Sequence, residues 1–241
     1  MTTAVKALKL TGDRKTRGHK NQKNTFGLAP GHPSKGGSCP GATTGPGGCQ
    51  NVPEGKKNPT CYVEGLQKAY KGVSNALKYN TELVIESTEE ELVQLFCDMF
   101  AEFERIETKR GIIKDLWFRH HWSGDMMDEK YCRALKKAMA EFPHINFWTY
   151  TRSWFAVPIL CDVPNLVLYI SADADNFNQA IKTYLNYEHT NVALCYMGEE
   201  KPNLNQRIIP CPVDSGKMKL EEACHKCKLC LKGKPVFFKT K

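Results

Sequence analysis

Beyond Gly111 the chain alternates short apolar runs with stretches of helical periodicity, and this restricts the fold to βα units stacked on a parallel sheet. Strands are expected over 115–122, 145–150, 166–170 and 192–196, with helices over 128–141, 154–161 and 176–186 between them. Three of these strands end in polar clusters: Ser123-Gly124-Asp125, Thr151-Arg152-Ser153 and Ser171-Ala172-Asp173. Ligands in parallel α/β folds gather at the carboxyl ends of strands, so the three ends are expected to converge on one site.

Ahead of this core, Leu66, Ala69, Tyr70, Val73, Ala76 and Leu77 recur at helical spacing and predict an amphipathic helix over 62–79. A second helix is expected from Ser87-Thr88, with Glu90 and Glu91 in its first turn. Its apolar face carries Leu92, Leu95, Phe96, Met99, Phe100 and Phe103. Residues 1–60, rich in Gly, Pro, Lys and Thr with one short apolar stretch around Phe26 to Ala29, read as arm and loop with room for one strand. A chain of 241 residues needs only one domain, divided here into a basic arm (1–24), an α/β core (25–205) and a cysteine-rich extension (206–241).

The net charge of +8 is concentrated at the ends. Residues 1–24 hold seven Lys or Arg against one Asp, and residues 217–241 hold eight Lys against two Glu. Basic ends suit either a nucleic-acid partner or counter-charge for metal-bound thiolates. The sequence has no long apolar run and no secretory leader pattern, so no membrane partner and a cytoplasmic setting are expected. Eleven cysteines in a reducing compartment point to metal ligation rather than disulfides.

Cys211-x12-Cys224-x2-Cys227-x2-Cys230 carries the strongest chemical signal. Three thiols at i, i+3 and i+6 wrap a compact centre that Cys211 closes from a distance. The C-x2-C-x2-C run and Cys211-Pro212 follow ferredoxin-like spacing, which favours an iron-sulfur cluster over zinc, the alternative metal. His225 is a substitute ligand or a solvated neighbour. A second group, Cys39, Cys49 and Cys61, has three thiols, and three thiolates on a four-iron cluster leave one iron open. Its gaps of nine and eleven residues require a long loop to fold back, which Gly45, Gly47 and Gly48 make feasible. Cys97, Cys132, Cys161 and Cys195 read as small buried residues rather than ligands.

The Cys-Pro-Gly-Ala loop at Cys39, the Cys61-Tyr62 pair, the strand end His121-Trp122-Ser123-Gly124-Asp125 and the run Tyr150-Thr151-Arg152-Ser153 together resemble radical S-adenosylmethionine enzymes, in particular small phage-encoded ones. The resemblance spans roughly residues 24–230, although the usual cluster loop has gaps of three and two residues. It implies a partial (β/α) barrel with a [4Fe-4S] cluster on Cys39, Cys49 and Cys61, and a second cluster on the C-terminal four. It also implies S-adenosylmethionine as cofactor, a low-potential electron donor, and a function such as modification of a nucleic-acid base. Ser123, Gly124, Asp125, Arg152, Ser171 and Asp173 would line the cofactor and substrate pocket, with Asp125 and Arg152 the catalytic candidates. The rival reading is a non-catalytic zinc or iron-sulfur protein that binds nucleic acid, and a third is a reductase or electron carrier.

Four finer expectations follow from the residues themselves. Adjacent His120 and His121 should point to opposite faces of their strand, so that at most one faces the site. Arg152 could grip a carboxylate or phosphate bidentately, or pair with Asp125 or Asp173. Asp175 is placed to cap the helix that starts near Asn176. Trp117, Phe147, Trp148 and Tyr150 read as core.

Overall fold

A computed structural model describes residues 6–45, 48–52, 61, 63, 70–204 and 207–239. Tyr62, Leu66, Ala69 and Gly47 lie outside the described residues. Helix α1, Lys71–Glu86, runs past the end expected at Tyr79. The apolar pattern breaks there because Asn80 and Thr81, both buried, face the N-terminal segment. Asn80 Nδ2 donates to the Lys9 and Gly27 carbonyls, while Thr81 Oγ1 accepts from the Ala29 amide. Helix α2, Glu89–Thr108, begins as its sequence predicts: Thr88 Oγ1 accepts from the Glu91 amide, and the Glu91 carboxylate accepts from the Thr88 amide. All six residues of its expected apolar face are buried.

The remaining elements are β1 (Trp117–Arg119), α3 (Glu129–Ala140), β2 (Asn146–Thr151), α4 (Ala156–Leu160), β3 (Leu166–Ala172), α5 (Phe177–Asn186), β4 (Val192–Gly198), β5 (Ile209–Pro210), α6 (Ala223–Cys227) and β6 (Val236–Lys239). The fold is α/β. Six parallel strands in the order β1-β2-β3-β4-β6-β5 curl into a half-barrel. Strand β1 is far shorter than the expected 115–122, because Asp115 (φ 60°) and His121 (φ 59°) turn into the left-handed region on either side of it. The segment 206–241 is no mere appendage. It supplies β5 and β6, and β6 lies between β4 and β5. Two residues ending in Pro, and four within a Lys-rich tail, gave no periodicity from which to foresee them.

Side chains alternate across the sheet, which separates its two faces. One face packs on helices: Phe100 and Phe103 from α2 meet Phe118, and Phe100 meets Phe147 with ring centroids 4.7 Å apart. Full burial of each such ring stabilises the fold by about 1.5–3 kcal/mol. Tyr150, Tyr169, Cys195, Met197, Val236 and Phe238 belong to the other, inner face, where the register sets Tyr150 beside Tyr169 and Cys195 beside Val236. No helix among the described residues is long and apolar enough to cross a membrane.

Candidate functional site

The inner face opens on a cavity of about 480 Å3. All seven cysteines assigned to metal binding line it: Cys39, Cys49 and Cys61 on one side, Cys211, Cys224, Cys227 and Cys230 on the other. The long gaps of the N-terminal group are closed by the backbone. The Cys49 amide donates to the Gly41 carbonyl (3.1 Å) and the Cys61 amide to the Cys49 carbonyl (3.0 Å). Gly48 permits this return, since a Cβ there would sit 2.1 Å from the Thr43 carbonyl oxygen. Burial, then the charge of Asp125, pushes the Cys39 thiol up to about 12. A hydrogen bond with Cys61, followed by burial, raises Cys49, and Arg152 opposes that rise. Buried thiols with raised pKa values and a nearby cation form a donor set that metal would draw into the thiolate form.

The strand-end residues divide into those that build the cavity and those that face it. Ser38 seats the Cys39 loop on the turn after β1: its hydroxyl donates to the Ala29 carbonyl and accepts from the Asp125 amide. Gly124, at φ 84°, makes the seat possible, because a Cβ would lie 2.5 Å from Ser38 Oγ. Ser123 lines the cavity but donates its hydroxyl to the Leu28 carbonyl. Asp125 is a corner post: its carboxylate accepts from Thr151 Oγ1 (2.6 Å) and from the Met126 (2.7 Å) and Arg152 (2.8 Å) amides. Burial raises its pKa against the pull of those donors.

Arg152 pairs with Asp173 rather than Asp125, through Nη2. Its Nη1 is buried without a hydrogen-bond partner, on a residue that lines the cavity. Asp173 is absent from the cavity wall and stands behind Arg152, a correction to its expected place in the pocket lining. The cap expected of Asp175 is not made, since no side chain caps α5. Asp173 Oδ1 accepts the Asp175 and Asn176 amides at the entry to α5, while Asp175 holds Asn51 of the cysteine loop. Ser171 does line the cavity.

On the far side, Cys211 follows β5 and donates its amide to the Phe237 carbonyl (2.8 Å). Residues Glu222 (φ 57°) and Lys228 (φ 50°), both left-handed, bracket α6 and turn Cys224 and Cys227 back toward Cys230. Tyr150 donates its hydroxyl to Cys230 Sγ (3.0 Å). Burial raises Cys224 to about 12 and Cys230 to about 11. The basic arm is docked here: the Cys224 amide donates to the Lys15 carbonyl, Lys15 pairs with Asp214, and Arg14 and Arg17 both hold Glu221. Burial disfavours the Lys15 charge, but Cys211, Asp214 and Cys224 together raise its pKa. His225 points away, onto a separate cavity, with its ring on Trp117.

Trp117, Trp148 and Phe147 are buried as expected and Tyr150 is partly so, but Trp117, Trp148 and Tyr150 also line the cavity, whereas Phe147 packs on the helical side. Cys195 is buried as expected but also reaches the cavity as an eighth thiol, while Cys97 and Cys161 are only half-buried. The two histidines do not face apart. With β1 ending at Arg119 and His121 left-handed, both Nε2 atoms lie 2.7 Å from the Tyr131 hydroxyl, and His121 is the one on the cavity wall. Burial, chiefly, lowers His120 well below its usual value and His121 to about 3. Among the described residues no three His, Cys, Asp or Glu side chains stand ready as a single-ion site.

The family model for Gene product 88 matches residues 3–233 of this chain. The Gene 88 protein of Mycobacterium phage L5 is 33% identical over 248 residues, covering 97% of this chain and 98% of its own length. The Gene 88 protein of Mycobacterium phage D29 is 33% identical over 255 residues, with the same coverage. No solved structure matches. The chain belongs to the Gene product 88 family.

Proposed function

We propose that this member of the Gene product 88 family is a radical S-adenosylmethionine enzyme, with a [4Fe-4S] cluster on Cys39, Cys49 and Cys61 and an iron-sulfur centre on Cys211, Cys224, Cys227 and Cys230. The observation that carries the reading is the buried, unpartnered Arg152 Nη1 in a cavity it shares with a three-thiol group. A buried guanidinium donor without a partner costs stability unless an anionic ligand meets it. Three thiols are one short of closing a four-iron cluster.

Held by Cys39, Cys49 and Cys61, such a centre would supply reductive cleavage of S-adenosylmethionine, with one electron from an external low-potential donor, for hydrogen abstraction from substrate. The chain's own residues prepare the chamber. Arg152 offers its free donor to the methionine carboxylate, and Asp173 fixes the guanidinium plane. Asp125, which also lines the cavity, ties the turn after β1 to the end of β2. Trp117, Trp148 and Tyr150 give an apolar wall that keeps water from a reactive intermediate. A nucleic-acid base is the substrate class in this reading, supported by Lys20, Lys23, Lys217, Lys219, Lys232 and Lys234, all exposed.

Anaerobic iron and sulfide analysis, electron paramagnetic resonance and chromatography for 5'-deoxyadenosine after dithionite reduction test the proposal. Two iron-sulfur centres and cofactor cleavage are expected. Fully loaded protein that neither binds nor cleaves S-adenosylmethionine would overturn the enzyme reading and leave the non-catalytic metalloprotein.

A further inference from the structure

A second cavity, of about 190 Å3, lies where the N-terminal segment, the end of α2 and α6 meet. Glu107 is fully buried there. Its Oε2 accepts a 2.7 Å hydrogen bond from Gln22 Nε2, while Oε1 has no hydrogen-bond partner. His19 Nε2 stands 3.4 Å from that oxygen, also without a hydrogen bond. Nδ1 of His225, on the same cavity wall, is buried and unpartnered as well. Gly18 makes room for that ring, since a Cβ would sit 2.5 Å from His225 Nδ1.

A buried carboxylate satisfied at one oxygen is costly unless a cation meets the other. The spacing fits one. Zinc bonds of about 2.0–2.1 Å to nitrogen and oxygen, at tetrahedral angles, set neighbouring donors about 3.4 Å apart. Gln22 supplies the outer hydrogen bond that orients a ligating carboxylate, and its own Oε1 accepts from the Gly18 amide. We infer that His19 and Glu107 bind a divalent transition-metal ion, zinc by the chemistry of the donors, with His225 the adjoining nitrogen and cavity water completing the shell. The described residues offer two direct donors rather than three. The ion joins the N-terminal segment to α2 beside α6, the helix that carries Cys224 and Cys227. The site shares no ligand with the cysteine centres and stands whether or not the enzyme reading does.

Anaerobic titration of the full chain with cobalt(II) separates this site from the thiols. Thiolate-bound cobalt has strong sulfur-to-metal charge-transfer absorption, whereas nitrogen- and oxygen-bound cobalt shows ligand-field bands alone. Wild type should bind about one equivalent more than His19→Ala or Glu107→Gln, with no charge-transfer band in the difference spectrum. Gln22→Ala should weaken that equivalent roughly 10- to 100-fold. Should Glu107→Gln fail to fold, His19→Ala, a part-exposed side chain, decides alone. Equal cobalt and equal spectra in wild type and variant would overturn the site and leave His19 and Glu107 an ordinary ion pair.

Discussion

The two cysteine groups share a cavity but are built on different plans. The N-terminal three sit on a loop that docks on the strand ends through Ser38 and Gly124, beside an arginine with one donor to spare. The C-terminal four are woven into the sheet through β5 and β6 and covered by the basic arm, where Tyr150, Lys15 and Asp214 already meet their charge and polarity. Three thiols with an unmet cationic donor form an arrangement suited to receiving a ligand. Four thiols whose surroundings are satisfied form one suited to holding a centre in place.

That contrast is broken most directly by removing one thiol from each side. Cys61→Ala should abolish 5'-deoxyadenosine formation and remove about half of the iron, leaving the fold in place. Cys227→Ala should instead lower thermal stability and protein solubility, because metal in a segment that forms part of the sheet contributes folding energy. Iron, sulfide and melting curves on the two variants decide. Equal iron loss with equal destabilisation would show the two groups to be one interdependent centre.

Acid should act next most strongly, and through the N-terminal side. His120 and His121 lie under the turn that seats the Cys39 loop, and burial depresses both pKa values, His121 to about 3. The unfolded chain takes up their protons near pH 6.5 while the folded chain does not. Stability is therefore full above that pH and falls as pH drops toward 3, by up to about 1.4 kcal/mol per pH unit for His121, with His120 acting in the same direction. Asn tolerates the left-handed conformation at position 121. His121→Asn should thus reduce the steepness of acid unfolding. An unchanged acid limb in denaturant titrations would remove the histidines from the account.

Arg152 sharpens the comparison at the level of single atoms. Arg152→Lys keeps a charge but loses the forked geometry, and affinity for S-adenosylmethionine should fall about tenfold, or about 1.4 kcal/mol. Asp173→Asn, which loosens the guanidinium without deleting it, should cost less. Calorimetric titration on cluster-loaded protein checks both, and iron content should stay constant in each.

Much of this was legible in the sequence because periodicity and capping are local. The α2 cap at Thr88 and its apolar face, the four main strands, and the convergence of three strand ends all rest on patterns within a few residues. The C-terminal strands were not legible: β6 earns its place only by pairing with β4 and β5, a contact with no local signature. The aromatic residues were legible as buried but not by face. Trp148 and Phe147 alternate along one strand, and nothing in that alternation says which face meets helices and which meets a cavity. The histidine pair was misplaced because regular strand geometry was assumed where His121 leaves it.

The smallest expected effect concerns the basic arm, whose charges separate docking from polyanion binding. Arg14 and Arg17 converge on the half-exposed Glu221, and hydrogen bonds to Arg17, then Arg14, hold that carboxyl below its usual range. Exposed pairs of this kind are weak and screened by salt. The double change Arg14→Ala, Arg17→Ala should move the melting temperature by no more than about 4 °C at physiological ionic strength. If these arginines serve as counter-charge, nucleic-acid binding by the variant should keep the wild-type salt slope. If they contact phosphates, each one lost should flatten the slope of log K against log salt by about 0.9. A slope that flattens in this variant and not in Lys217→Ala, Lys219→Ala would make the arm a binding element, and the C-terminal thiols would lose the cover that distinguishes them from the N-terminal three.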